Sequence, residues 1–252
     1  MFSPVIEEYW RRTFSDGNVL SHDGDFTLAV NADLSEDRRA MVLTTRDGPV
    51  RAVLTPSVAG ALGCPREAPM SEADFRAALR DAGLELYGAD YLFYYSEPEM
   101  RILLHQAPYD GVRRLTGADS ALFDEFTASA PAQDLDNAYV ELDHWAVFAS
   151  FADGRVVSAG SAYGWGDARI ADLGVLTLPA RRGRGHARAV VRELCRYAAE
   201  CGYQPQYRCQ LDNHASVALA KAAGLTRFGT WEVVLPDPPE LGTHPVNEQS
   251  SS

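Results

Sequence analysis

Cysteine is scarce in this chain and unpatterned. Cys64, Cys195, Cys201 and Cys209 stand without a C-x-x-C pair, which argues against a zinc site and a disulfide framework and leaves reduced thiols as the expectation. Long apolar runs are missing too: no stretch approaches about eighteen residues, so no membrane span is expected. The opening Met1-Phe-Ser-Pro-Val-Ile-Glu-Glu8 lacks the basic and apolar regions of a signal peptide, and the cytoplasm is the expected compartment. Positive charge is in short supply, with 23 Lys and Arg against 35 Asp and Glu and a formal net charge of -12. Nucleic acid needs a broad basic face and is not an expected partner; a cationic amine suits an acidic chain better. Two phosphate-loop signatures also fail. No G-x-x-x-x-G-K-[ST] run exists, and Gly183-Arg-Gly185 is followed by Arg188 where G-x-G-x-x-G needs its third glycine.

What the chain does have is a strand, a glycine loop and a helix in immediate succession. The stretch runs Val175-Leu-Thr-Leu-Pro-Ala-Arg-Arg-Gly-Arg-Gly-His-Ala187 and continues to Glu200. An apolar strand from Ala171 to Leu178 stops at Pro179, Gly183 and Gly185 give a loop, and helical periodicity follows. Glycines let backbone turn sharply and approach a ligand, so the unpaired N–H groups of the helix's first turn can face a phosphate. Arg181, Arg182 and Arg184 concentrate positive charge there, against the acidic background.

This stretch resembles motif A of the GNAT acyltransferase superfamily, Arg/Gln-x-x-Gly-x-Gly/Ala, met by Arg182, Gly185 and Ala187. A second segment, Asn213-His-Ala-Ser-Val-Ala-Leu-Ala-Lys-Ala-Ala-Gly-Leu225, is similar to the family's later signature, with Asn213, Ser216, Leu219, Gly224 and Leu225 on or near pattern. The resemblance spans roughly Val112 to Leu235. It implies an acyl-CoA-dependent N-acyltransferase, most simply an N-acetyltransferase moving acetyl from acetyl-CoA to a primary amine of a small molecule within a ternary complex. Two other readings stand beside it: an acyl-CoA-binding sensor or scaffold without turnover, and acetylation of a protein or peptide amine. The resemblance implies that Arg182, Gly183, Arg184, Gly185, His186 and Ala187 hold the CoA pyrophosphate. It also implies that Val175, Leu176 and Thr177 pair through backbone with the pantetheine arm, and that Asn213 and Ser216 border it. No metal is implied. The family's usual tyrosine acid is replaced by Ala220, so the thiolate leaves unassisted or another group protonates it; a thiol of pKa about 8.5 is a fair leaving group.

For the base, Asp172 shares a strand face with Leu176 by alternation, where several members of the resembled family keep a carboxylate. Glu141, Asp143 and His144 are reserve candidates. Asp172 reads equally as a salt-bridge partner of Arg169, and Asn213 as the cap of the following helix. Tyr163 and Trp165 could hold a substrate cation or simply pack, and Tyr139 or Tyr163 could replace the missing acid.

The expected fold class is α/β (α+β). Residues 111–235 should form a GNAT-like mixed, mostly antiparallel sheet flanked by helices, and residues 1–110 an N-terminal α/β domain. That first domain is read as a degenerate copy of the second or as an unrelated cap. Residues 236–252 read as a disordered tail. In the first half, Pro4 to Phe14, a segment from Pro56 and Ser71 to Ala82 read as helices; Asp25 to Val30, Arg39 to Thr45, Val50 to Leu54, Tyr91 to Tyr95 and Arg101 to Leu104 read as strands. In the second, Val112 to Leu115, Trp145 to Phe151 and Arg155 to Tyr163 read as strands, Asp119 to Ala128 as a helix, and Ser129 to Asn137 as a polar loop. Monomer and homodimer both remain open.

Overall fold

The computed structural model describes residues 1–15, 17–46, 48–64 and 69–235, so the expected tail from Pro236 lies outside the described residues. In the first half come α1 (Pro4–Ser15), β1 (Asn18–Asp23), β2 (Phe26–Val30), β3 (Ala40–Thr45), β4 (Val50–Leu54), α2 (Pro56–Ala61), α3 (Glu72–Asp81), β5 (Asp90–Tyr94) and α4 (Glu97–His105). The second half holds β6 (Val112–Leu115), α5 (Ser120–Ala128), α6 (Ala132–Ala138), β7 (Ala146–Ala152), β8 (Arg155–Gly164), β9 (Ile170–Thr177), α7 (His186–Glu200), β10 (Gln204–Gln210), α8 (His214–Ala223) and β11 (Thr226–Val233).

Two expectations fail locally. Arg101 to Leu104 is helix, because Ser96 and Glu99 form a reciprocal cap with Pro98 in the first turn, and that cap overrides the β-leaning letters behind it. The polar stretch after Pro131 is helix α6, ending at Tyr139 in the left-handed region with φ 47°.

The described strands form one sheet in the order β1-β2-β4-β3-β11-β5-β10-β9-β8-β7-β6. Only β2–β4 and β9–β10 run parallel, so the sheet is mixed and mostly antiparallel, as expected. From β6 to β10 the strands of the second half lie in chain order, whereas the first half runs 1-2-4-3, which is not the order a copy would show. Strand β5, from the first half, sits between β10 and β11 of the second. Sealed on both edges and packed on both faces, Leu92, Phe93 and Tyr94 of this aromatic run are buried.

Helices cover both faces. On one, α7 inserts Val190, Val191, Leu194, Cys195 and Ala198 against β7 to β10, with α4 and α8 beside it. Each large side chain removed from water there stabilises by roughly 1.5–3 kcal/mol. The opposite face carries two separate apolar clusters: α1 supplies Ile6, Trp10 and Phe14 to one, and α5 supplies Phe123 and Phe126 to the other. The polar groups described next lie on this face, between those clusters.

Candidate functional site

Strands β9 and β10 pair from Ile170↔Gln204 to Leu173↔Tyr207 and then part. On its other edge β9 stays paired with β8 as far as Thr177↔Ser158. From Gly174 onward β9 therefore presents backbone to a gap on its β10 side. Val175 is half-buried towards the α7 face, Leu176 is buried against the α5 cluster, and the Thr177 hydroxyl lies 2.8 Å from that of Ser158.

The gap leads to the glycine loop. Gly183 and Gly185 take φ of 73° and 84°, a left-handed backbone that L side chains rarely adopt, and both are exposed. Helix α7 begins without a side-chain cap, and its first backbone hydrogen bond is Ala189 N–H to the Gly185 carbonyl. The N–H groups of His186, Ala187 and Arg188 thus have no acceptor among the described residues. The cations divide into two pairs. Arg181 bonds Asp153 at 3.0 Å, while Arg182 bonds Asp134 at 2.7 Å and donates from Nε to the Thr177 carbonyl. Arg184 and Arg188, both exposed, make no ion pair among the described residues. Free amides, a helix N-terminus and two uncommitted guanidiniums together give this loop positive character. His186 turns its ring towards β7, Nδ1 lying 2.9 Å from Ser150 Oγ, and Ala187 is half-buried.

At the other end of the cleft, Asn213 caps α8 by accepting from the Ser216 N–H at 3.0 Å. Ser216 is half-buried against Tyr207, whose phenol burial pushes up to about 12 although Ser216 opposes the shift. Ala220 is fully buried in the α7 cluster, so nothing at that position reaches the gap. Cys209 is likewise buried, and burial raises its thiol to about 12.

Across the polar face runs a lateral row of side chains. The Tyr163 hydroxyl donates to Asp172 at 2.7 Å, Gln206 donates to Asp172 at 3.0 Å, Tyr94 donates to Gln206, and Trp10 donates to Tyr94 at 2.9 Å. Arg208 adds two bonds to Asp172, at 2.9 and 2.8 Å, and one to Asp90 at 2.9 Å. Its guanidinium lies over Trp165 and Trp231. Burial raises the Asp90 carboxyl, opposed by Arg208 and assisted by the Asp172 charge. Burial, then the Asp172 charge, raises the Tyr163 phenol.

Asp172 thus occupies the expected face, but its environment differs from the one a base needs. It is buried, accepts four hydrogen bonds and pairs with Arg208, not with Arg169. A carboxylate enclosed in this way cannot meet an incoming amine directly. Of the reserve candidates, Glu141 and Asp143 are exposed. His144 is half-buried and packs its ring 4.9 Å from that of Tyr139 and 5.0 Å from that of Tyr163. Arg208, Gln206, Ser161 and Gly174 were not singled out in the sequence. Alternation along Tyr207 to Cys209 could have flagged Arg208, because a charged residue between two buried ones must find a partner on the opposite face.

Among the described residues no helix is long and apolar enough to cross a membrane, and no group of three or more His, Cys, Asp or Glu is placed to hold a metal.

Residues 119–225 match the family model described as Acetyltransferase (GNAT) family. Curated proteins gave no match. Solved structures similar to this chain include a GNAT-family protein from Novosphingobium aromaticivorans, 16% identical, covering 60% of this chain and 66% of that one, with a TM-score of 0.45. Another is a GNAT-family acetyltransferase from Colwellia psychrerythraea, 20% identical, covering 66% and 62%, TM-score 0.48. A GCN5-related N-acetyltransferase-like protein from Streptococcus suis is 17% identical and covers 81% and 87%, TM-score 0.43. The chain spans less than two thirds of the length of the first two. Likeness at this level carries nothing about substrate.

Proposed function

We propose, on the premise that residues 119–225 are a GNAT acetyltransferase domain, that the protein transfers an acyl group, most simply acetyl, from its CoA thioester to the primary amine of a small molecule. One observation carries this reading: β9 and β10 part after Leu173 and Tyr207, and the open edge of β9 runs directly into a loop of unpaired amides and uncommitted arginines. A thioester with a long amide-bearing arm and a pyrophosphate fits such a groove end to end. In this reading Gly183 to Ala187 hold the pyrophosphate, with Arg184 and Arg188 supplying charge. The edge at Val175, Leu176 and Thr177 pairs with the pantetheine arm, and Asn213 and Ser216 flank it.

Transfer is direct, within a ternary complex. The amine nitrogen attacks the thioester carbonyl, backbone N–H groups of the free edge stabilise the developing oxyanion, and the C–S bond breaks. The substrate is itself the nucleophile, so no serine or cysteine is needed; the buried Cys195 and Cys209 could not reach the groove. Asp172 serves as the anchor of Arg208, which spans the mouth of the gap. Glu141, exposed with Oε2 3.6 Å from His144, favours a cationic acceptor.

Calorimetric titration with acetyl-CoA, followed by thiol release against aminoglycosides, polyamines and amino acids, tests the proposal. Binding with amine-dependent release is expected. Binding without release from any amine would favour acyl-CoA sensing, the reading that the buried Ala220 supports; absence of binding would remove the anion-site assignment.

A further inference from the structure

We infer that His144 is the base that takes the proton from the acceptor amine, an inference that rests on the transferase reading above. Its position follows from register. Ser161 on β8 lies directly opposite Gly174 on β9, and Gly174 is the first β9 residue past the last β10 pair. His144 Nδ1 is 2.8 Å from Ser161 Oγ, which holds the imidazole beside β8, level with Gly174 and one strand away from the gap. The Ser161 hydroxyl also lies 3.5 Å from the Tyr139 carbonyl, and the role assigned to His144 takes the tautomer in which Nδ1 donates to Ser161. The Nε2 lone pair is left free, with Glu141 Oε2 at 3.6 Å.

Two rings pack against this imidazole. Tyr139 and Tyr163 are 5.1 Å apart and each lies about one ring's contact from His144. Glu141 is exposed and Tyr139 is half exposed, while the His144 side chain keeps 10% of its exposure, so a ligand approaches Nε2 from the side of Glu141 and Tyr139. An ammonium group entering there meets Glu141 and two aromatic faces, a setting that attracts a cation before it is deprotonated. The groups facing the imidazole are Glu141 from its own segment, Tyr139 from the end of α6, and Tyr163 from β8. Behind Tyr163, Asp172 is neutralised by Arg208.

The step balances without further reagents. The ammonium gives one proton to solvent water, the freed nitrogen lone pair forms the C–N bond to the thioester carbonyl carbon, and a second proton passes from the nitrogen to Nε2. The C–S bond breaks with its electron pair on sulfur, and the imidazolium returns the proton to the thiolate. Products are an amide and free thiol. Glu141 stabilises the intervening imidazolium, and Ser161 fixes the ring.

His144→Gln is close in size and removes the base. With the most reactive amine of the panel, kcat/KM should fall about 10²- to 10⁴-fold, the acid limb of its pH profile should disappear, and acetyl-CoA affinity should be unchanged. Turnover within about twofold of wild type with the wild-type pH profile in His144→Gln would overturn the inference. Loss of acetyl-CoA affinity in His144→Gln would assign His144 to binding and also overturn it. A wild-type protein that releases no thiol with any amine would overturn the transferase reading together with this one, whereas wild-type turnover that survives His144→Gln refutes only the role of His144.

Discussion

A Cβ added to Gly174 would run into the Ala138 carbonyl oxygen and come within 3.0 Å of that of Tyr139. The end of α6 rests on bare backbone at that spot. Gly174→Ala should push α6 outward and carry Tyr139 with it, destabilising the protein by about 1–3 kcal/mol. Thermal melting should show the loss, and the KM for the amine should rise while acetyl-CoA affinity holds; an unchanged melting point would mean that α6 does not pack where it is described. Gly185 is the opposite case. Only Arg188 comes within 4.0 Å of an added Cβ, so the constraint is its φ of 84° and the charge of the site. Gly185→Glu should weaken acetyl-CoA binding at least about tenfold, and a wild-type dissociation constant in calorimetry would refute the pyrophosphate assignment. The loop glycines were legible because contiguous letters encode the whole device, whereas the need at Gly174 comes from a helix some 35 residues earlier in the chain. The same reason hid the enclosure of Asp172: its partners Arg208 and Gln206 arrive from another strand.

Arg208 follows the last paired residue of β10 and bonds back to Asp172, so one ion pair ties β9 to β10 where their backbones separate. Asp172→Ala would leave that guanidinium with Asp90 alone. Removing one partner of a buried pair costs about 3–5 kcal/mol; with Asp90 still present, the lower end of that range is expected. Chemical denaturation should report it as a lower midpoint. Activity lost with stability intact would instead return Asp172 to a direct chemical role. Most elements were legible, since α1, α3 and the hairpin β7–β8 carry their caps, periodicity and Asp153-Gly154 turn in adjacent residues. Helix α4 was obscured because Met100-Arg-Ile-Leu-Leu104 reads as strand unless the Ser96–Glu99 cap is weighed first. Helix α6 was obscured because its polar sequence has only a thin apolar side, Leu135 and Ala138, to betray it.

Strand β5 lies between β10 and β11, so the two halves of the chain complete one sheet together. Nothing in the letters of Asp90 to Tyr94 says which strands will flank them; an apolar, aromatic run fits any central position. Residues 111–235 produced alone would lack β5 and expose the facing edges of β10 and β11. We expect that fragment to aggregate or remain unfolded, and to become soluble when produced with residues 1–110; a monomeric, cooperatively melting fragment would contradict this. The same interleaving sets a schedule for synthesis. When β5 leaves the ribosome, the strands that will close its two edges are still unmade, and β10 begins 110 residues later. At roughly 5–20 residues per second, that leaves the β10-facing edge of an apolar strand open for about 5–20 seconds, and the β11-facing edge for longer. A nascent chain of this kind should depend on holding chaperones until its C-terminal strand is released, and slower translation should lengthen that dependence.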